Sequence, residues 1–390
     1  MSPIGVTSSY NLRRYLELKR KTGGKIMRNL TYIIMISVLM IAASCSQTKT
    51  ADTQTGFTAG VMAPMTGLSA ALGKQMMQGV ELAANESGNQ IKLIIEDDQC
   101  DAKAGVTAAK KLIEIDHVDA ILGPICTVAI LPTAEMVEDA KTPRITTGMV
   151  VQKTASAGDY HFSFLPELKH QMNAIAKYAK AQGIKSVGTL ALDDDLGREG
   201  ISELKRSLAR DGIDLTEEEY FDKAESDYRT MISKIKETNA QGIYVLGYST
   251  NMIQIVKQAD EVGFFVPILT WNLFQDPASI KLDNLSDSVV YTYPEDPREL
   301  SVKTAFKKRF MERFGQEPTL YAANAYDSYM ILDLAVKSCG KDNECVKSKL
   351  ASVKDYEGGN GFISVDDRGV GQRPEVSIKA VRNGKFVTIG

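Results

Sequence analysis

The chain has 390 residues, 44% hydrophobic and 24% charged, which is apolar material for more than one core. Its formal net charge is −3, but the 45 residues before Ser46 carry +6, so the remainder stands at −9. A surface that acidic repels phosphate backbones and anionic lipid, which argues against nucleic acid as a partner.

In chain order, residues 1–26 are basic and polar and are set aside from the fold. The uncharged run Tyr32 to Ala43, "YIIMISVLMIAA", is the first apolar element. A helix that spans a bilayer needs about 20 residues, so this shorter run reads as the apolar part of a signal peptide. Arg28 is its positive flank if translation starts at Met27. Small residues Ala42, Ala43 and Ser44 then precede Cys45, which resembles a bacterial lipobox with Cys45 as the lipidated first residue. Ala42 stands where a larger aliphatic residue is usual. Residues 46–56, "SQTKTADTQTG", have no apolar periodicity and read as a tether.

Beyond the tether, four cysteines remain: Cys100, Cys126, Cys339 and Cys345. An even set in an exported chain argues for disulfides. There is no C-x-x-C, and the three histidines (His117, His161, His170) show no metal-ligand spacing, so no metal or other cofactor is expected.

Aliphatic runs then alternate with helical stretches. "FTAGVMAP", "IKLIIEDD", "VDAILGPI" and "TPRITTG" read as strands, and "AKAGVTAAKKLIEID" as a helix. The rhythm restarts at "KSVGTLALDDD" and runs through "GIYVLGYS", "VPILTWN" and "DSVVYTYP". Such alternation predicts an α/β fold of two Rossmann-like lobes with parallel-type sheets and helices on both faces. "DYHFSFLPE" (159–167) reads as an extended join between the lobes. Helices follow at 298–315 and 319–340, and Asn383-Gly384 between alternating strands predicts a closing hairpin.

The chemistry-bearing stretches lie at strand ends. "GLSAALGKQ" (67–75) fails as a phosphate loop, having five residues between its glycines and Gln75 at the magnesium-binding position. "LDDDLGREG" (192–200) reads as acids at a helix start, satisfying free amides. No G-x-S-x-G and no nucleophile–base grouping occurs, so an enzyme is not expected. "GPICTVAILP" (123–132) is the best site candidate, because a helix opening near Thr127 offers backbone amides and a hydroxyl to a carboxylate. Thr127 as a simple N-cap would use the same geometry. Gly148 in "RITTGMV" would permit close backbone approach, while Tyr248, Trp271 and Asn272 end strands of the second series. Trp271 reads equally as part of a lid or as packing between lobes.

Four stretches together, "APMTGLSAALGKQMMQGVELA", "DDQCDAK", "ILGPICT" and, near the end, "DDRG", resemble the type I periplasmic binding proteins. The likeness is to the leucine/isoleucine/valine-binding branch of ABC-transporter solute receptors, and it extends over the whole chain after the leader. It implies two lobes joined by three crossings, near Phe164, Tyr291 and Gly361, closing on a small ligand. Lobe one would comprise 57–165 plus 293–357, and lobe two 166–292 plus 358–390. Cys100 is expected to pair with Cys126, and Cys339 with Cys345.

The ligand set implied by the resemblance is Thr127, Val128, Gly148, Val150, Leu196, Tyr248, Trp271 and Asn272. Thr127 replaces a carboxylate-binding serine conservatively, and Tyr248 matches the second-lobe tyrosine. Val150 stands for a threonine, Leu196 for a tyrosine, and Asn272 for the acid that neutralises an ammonium. With no charge at Val150 or Asn272, the expected ligand is a small carboxylate or amide rather than a branched-chain amino acid, unless Asp194 or Asp195 substitutes. The chain is expected to be a monomeric, lipid-anchored envelope receptor that serves an ABC permease in the inner membrane. The alternative is an envelope lipoprotein of the same fold that regulates a protein partner or senses a ligand.

Overall fold

The computed structural model describes residues 56–276, 278–295, 300–372 and 375–390. The leader, Cys45 and residues 46–55 of the tether lie outside the described residues. Among the described residues no helix is long and apolar enough to cross a membrane.

The first lobe is built on β1 (Thr58–Ala63), α1 (Ala70–Ser87), β2 (Lys92–Asp97), α2 (Ala102–Lys110), β3 (Ala120–Leu122), α3 (Thr127–Ile130), α4 (Ala134–Asp139), β4 (Arg144–Thr146), α5 (Gln152–Ala155) and β5 (His161–Ser163). Its five strands are all parallel, in the order β2-β1-β3-β4-β5. The extended join expected at 159–167 thus includes β5, the edge strand of this sheet, at His161–Ser163. β3, β4 and β5 are buried throughout and β1 nearly so, as expected of a parallel sheet covered on both faces.

The second lobe follows with α6 (Leu168–Ala181), β6 (Ser186–Leu192), α7 (Asp195–Asp211), β7 (Asp214–Phe221), α8 (Arg229–Glu237), β8 (Gly242–Leu246), α9 (Ser249–Glu261), β9 (Ile268–Thr270) and β10 (Val289–Tyr293). The chain then makes α10 (Leu300–Phe314), α11 (Leu320–Cys339), α12 (Asn343–Ala351) and the ribbon β11 (Tyr356–Gly358) and β12 (Gly361–Ile363). It ends on β13 (Ser377–Arg382) and β14 (Lys385–Thr388). The second sheet runs β14-β13-β10-β9-β8-β6-β7, and β13 and β14 join it antiparallel. Asn383 and Gly384 both have positive φ (51° and 67°), the conformation that a two-residue type I′ hairpin requires.

β7, "DLTEEEYF", is an edge strand that the sequence pattern did not reveal, because its acids mask the alternation. Those acids are used: Glu218 pairs with Lys205 and Glu219 with Lys234. A charged edge also resists pairing with other chains.

Two crossings fall later than expected. Tyr291 lies within β10 and pairs with Thr270, so the chain leaves the second sheet only after Tyr293. Gly361 pairs with Gly358 across the β11–β12 ribbon, and Gly371 N–H then donates to Ser163 O at 2.7 Å beside β5. The segment 358–371 therefore stays with the first lobe, because backbone hydrogen bonds hold it there.

Candidate functional site

The carboxyl ends of β1, β3 and β4 face those of β6, β8 and β9 across a cleft, the place where open α/β sheets bind ligands. Inside it lies a narrow chamber of about 20 Å³. The first lobe contributes Leu72, Ile125, Cys126, Thr127 and Met149, and the second Asp194, Leu196, Tyr248, Trp271 and Leu273. Tyr321, in the first turn of α11, closes it. A wider recess of about 80 Å³, open to solvent, adjoins it and shares Leu72, Tyr248, Leu273 and Tyr321.

The first-lobe wall is held by a covalent bridge. Cys100 and Cys126 are joined with their Cα atoms 5.3 Å apart, so the β2 end is tied to the β3 end. Cys126 is the N-cap residue of α3, with extended backbone, and Thr127 is the first helical residue. This corrects the reading of Thr127 as an N-cap. Ala129 and Ile130 N–H return to Cys126 O, which leaves the Thr127 and Val128 amides ahead of the ladder. α3 has only four residues, so the site rests on these groups and the Thr127 hydroxyl, not on a macrodipole. Cys339 and Cys345 are also joined, across the turn between α11 and α12 and apart from the cleft residues.

Gly148 is absent from the chamber lining. A Cβ there would stand 1.7 Å from Ile125 O, so its missing side chain lets the β3 and β4 loops touch. Val150 is turned away as well. Its carbonyl accepts from Leu168 N–H at 2.7 Å, and its side chain packs with Ala155 and Val370. Val128 follows Thr127 around the short helix and packs against the core, outside the chamber lining.

The second-lobe wall depends on side-chain hydrogen bonds. Trp271 is 1% exposed, and its indole N–H donates to Gly247 O at 2.8 Å. It is a fixed wall of its own lobe, not a lid. Asn272 lines the outer recess, and its amide is engaged at both ends. Its oxygen accepts from Gln171 at 3.0 Å and its nitrogen donates to the Tyr321 hydroxyl at 3.2 Å. Thr292 completes the chain by donating to Gln171 at 2.8 Å. Burial raises the Tyr321 hydroxyl well above its ordinary pKa, so it remains a neutral donor and acceptor.

Asp194 and Asp195, adjacent in sequence, have different surroundings. Asp194 lines the chamber, caps α7 through Gly197 N–H at 2.9 Å, and has its pKa raised chiefly by desolvation. Asp195 instead pairs with Lys153 of the first lobe at 2.6 Å. Of the two, only Asp194 is placed to meet a ligand. Tyr248 reaches across so that its hydroxyl lies 3.0 Å from Cys100 Sγ.

The structure thus gathers Thr127, Leu196, Tyr248 and Trp271 around one chamber and sets Asn272 at its outer recess. It adds Leu72, Ile125, Met149, Leu273 and Tyr321, which sequence reasoning missed. Leu72 and Tyr321 lie in helical stretches whose pattern reads only as core. Tyr321 carried one usable signal, the N-capping Thr319 that starts α11 two residues before it. Among the described residues no group of His, Cys, Asp and Glu could hold a metal ion.

Residues 56–382 match the sequence model of the family described as periplasmic binding protein. The leucine-, isoleucine-, valine-, threonine- and alanine-binding protein of Pseudomonas aeruginosa is 23% identical over 351 residues, 86% of this chain and 91% of that one. The structure of a leucine binding protein, LivK, from Thermotoga maritima is similar with a TM-score of 0.80 at 24% identity, over 86% of this chain and 98% of that one. A Rhodopseudomonas palustris solute binding protein in complex with benzoate gives 0.79 at 16% identity, over 86% and 95% of the two chains.

Proposed function

Since the chain belongs to the periplasmic binding protein family, in its leucine/isoleucine/valine-binding-protein-like branch, we propose that it is an extracytoplasmic solute receptor of an ABC importer. Its relatives are receptors rather than enzymes. The ligand is a small molecule bearing a carboxylate or amide on an apolar body. The observation that carries this reading is the chamber itself, where Thr127 stands against Leu72, Ile125, Met149, Leu196, Trp271 and Leu273. Leucine and benzoate, named with two of the similar structures, share a carboxylate on an apolar body. The carboxylate meets the Thr127 hydroxyl and the Thr127 and Val128 amides, and the apolar part lies along Leu196 and Trp271. The protein acts as a monomer, anchored at a membrane surface through Cys45, and hands its ligand to a permease.

The test is a thermal-shift screen over amino acids, their amides, small carboxylates and aromatic acids, followed by calorimetry. A true ligand at 100 times its dissociation constant adds about 2.7 kcal/mol. Thr127→Ala weakens that ligand, whereas binding unchanged in Thr127→Ala defeats the assignment of the carboxylate. Absence of any binder, together with ligand-independent capture of an envelope protein, would favour the regulatory alternative instead.

A further inference from the structure

The second lobe touches the Cys100–Cys126 bridge at two points, and one buried side chain organises both. The Tyr248 hydroxyl lies 3.0 Å from Cys100 Sγ and, since a disulfide sulfur has no proton, the hydroxyl is the donor. The Lys223 ammonium donates to Cys100 O at 3.0 Å. Lys223 follows β7 and Tyr248 follows β8, so the two contacts come from different strand ends. Asn251, in the first turn of α9 and 3% exposed, connects them. Its oxygen accepts from Tyr248 N–H at 3.2 Å. Its nitrogen donates to Lys223 O at 3.3 Å and to the Tyr228 hydroxyl at 2.8 Å.

We propose that Lys223 and Tyr248 form a two-point latch on the disulfide loop of the first lobe, with Asn251 as the positioning residue that aligns them. The inference goes beyond the receptor reading, because it concerns the closed arrangement and not the identity of the ligand. Three features make the contact more than incidental packing. The loop it meets is stiff, since the bridge ties Cys100 to Cys126 and the Asp98 carboxylate accepts from Cys100 N–H at 2.8 Å. A hydrogen bond from an ammonium is stronger than a neutral one. The third is the neighbouring Asp101, whose pKa is held low first by the Ala104 amide and further by the Lys223 charge. The same bridge sets Cys126 at the head of α3, so the latch closes on the loop that presents Thr127.

The latch is tested on the full chain without ligand, by small-angle X-ray scattering and by hydrogen exchange at residues 99–102. Lys223→Met is the main variant, because Lys223 is not in the core and the protein keeps its fold without the ammonium. Its closed-to-open ratio falls by roughly tenfold, read as a larger radius of gyration and faster exchange at 99–102. Lys223→Arg restores closure, and the thermal midpoint of Lys223→Met stays close to that of the wild type. Asn251→Asp, which exchanges the amide nitrogen for a second acceptor, opens the lobes as Lys223→Met does. Superimposable scattering from Lys223→Met and wild type would overturn the latch, as would a wild type that is already open. Neither result bears on whether a ligand binds, so failure here leaves the receptor reading standing.

Discussion

The two walls of the cleft are fixed by different physics. On the first lobe, a disulfide and backbone contacts hold the loop: the Cys100–Cys126 bridge, the Gly148–Ile125 contact and the turn at Asp98. On the second, side-chain amides and an indole do the same work, through Trp271 to Gly247 and Asn272 to Gln171 and Tyr321. The first wall is therefore set before the lobes meet. Part of the second exists only once they do, because Asn272 follows β9 of the second lobe whereas Tyr321 lies on α11, which packs against α1 of the first. An anchor for a ligand is best built on the first kind of wall, and selectivity is most easily retuned on the second.

Breaking the covalent wall gives the largest effect. Cys100→Ser with Cys126→Ser removes a crosslink over a sequence separation of 26 residues. In the chain-entropy account this costs about 3 to 4 kcal/mol. Chemical denaturation should show that loss, and the Thr127 loop should exchange its amides faster. A double variant as stable as the wild type would mean that backbone contacts alone hold this wall.

The corresponding break on the second wall is Asn272→Leu. It strands the Gln171 amide and takes one partner from the Tyr321 hydroxyl, both buried. Leaving such groups unpaired costs about 1 to 3 kcal/mol. Because the hydrogen bond to Tyr321 crosses between lobes, ligand affinity should fall along with stability. Stability lost with affinity intact would show that this network supports only its own lobe.

Much of this contrast follows from what a sequence displays. The fold was legible because periodicity, strand–helix alternation and the Asn383-Gly384 turn are local signals. Of the first wall, the two cysteines and Thr127 stood out, since each sits just past an aliphatic strand. The second wall was only half visible. Tyr248 and Trp271 end strands, but the partners that fix the wall, Gln171 and Tyr321, lie 101 and 49 residues from Asn272. Val150 and Gly148 fall outside the chamber lining for a related reason. Their surroundings are made by segments distant in sequence, and the spacing within "RITTGMV" could not supply them.

Asp98 sharpens the comparison from beneath the bridge. It is fully buried, one oxygen accepts from Cys100 N–H, and burial pushes its pKa up from 3.8 to about 6, with the Asp97 charge adding to it. The sign follows from linkage. The folded carboxyl keeps its proton to higher pH than the unfolded one, so its stabilising contribution is complete below pH 3.8 and is lost as pH rises through about 6. Asp98→Asn removes that titration. Its stability relative to wild type should therefore climb between pH 4 and pH 7, by up to about 2 kcal/mol. A difference that stays flat over that range would show that Asp98 remains ionised throughout, and that the first wall carries no strain from a buried charge.

The smallest effect belongs to the contact that looks most like a clasp. Lys153 reaches from the first lobe to Asp195 at 2.6 Å and Glu199 at 3.9 Å on the second. Its side chain is 59% exposed and that of Asp195 is 41% exposed, so water and salt screen the attraction and its ordering entropy opposes it. Geometry alone would rank this pair with the Asn272–Tyr321 hydrogen bond, since both cross between lobes. Burial ranks them far apart. Lys153→Met should change ligand affinity by less than about twofold at physiological salt, and the difference should vanish near 1 M salt, where the screening length is about 3 Å. A tenfold loss that persists at high salt would place a desolvated ion pair at this mouth. The second wall would then hold by charge as well as by amides.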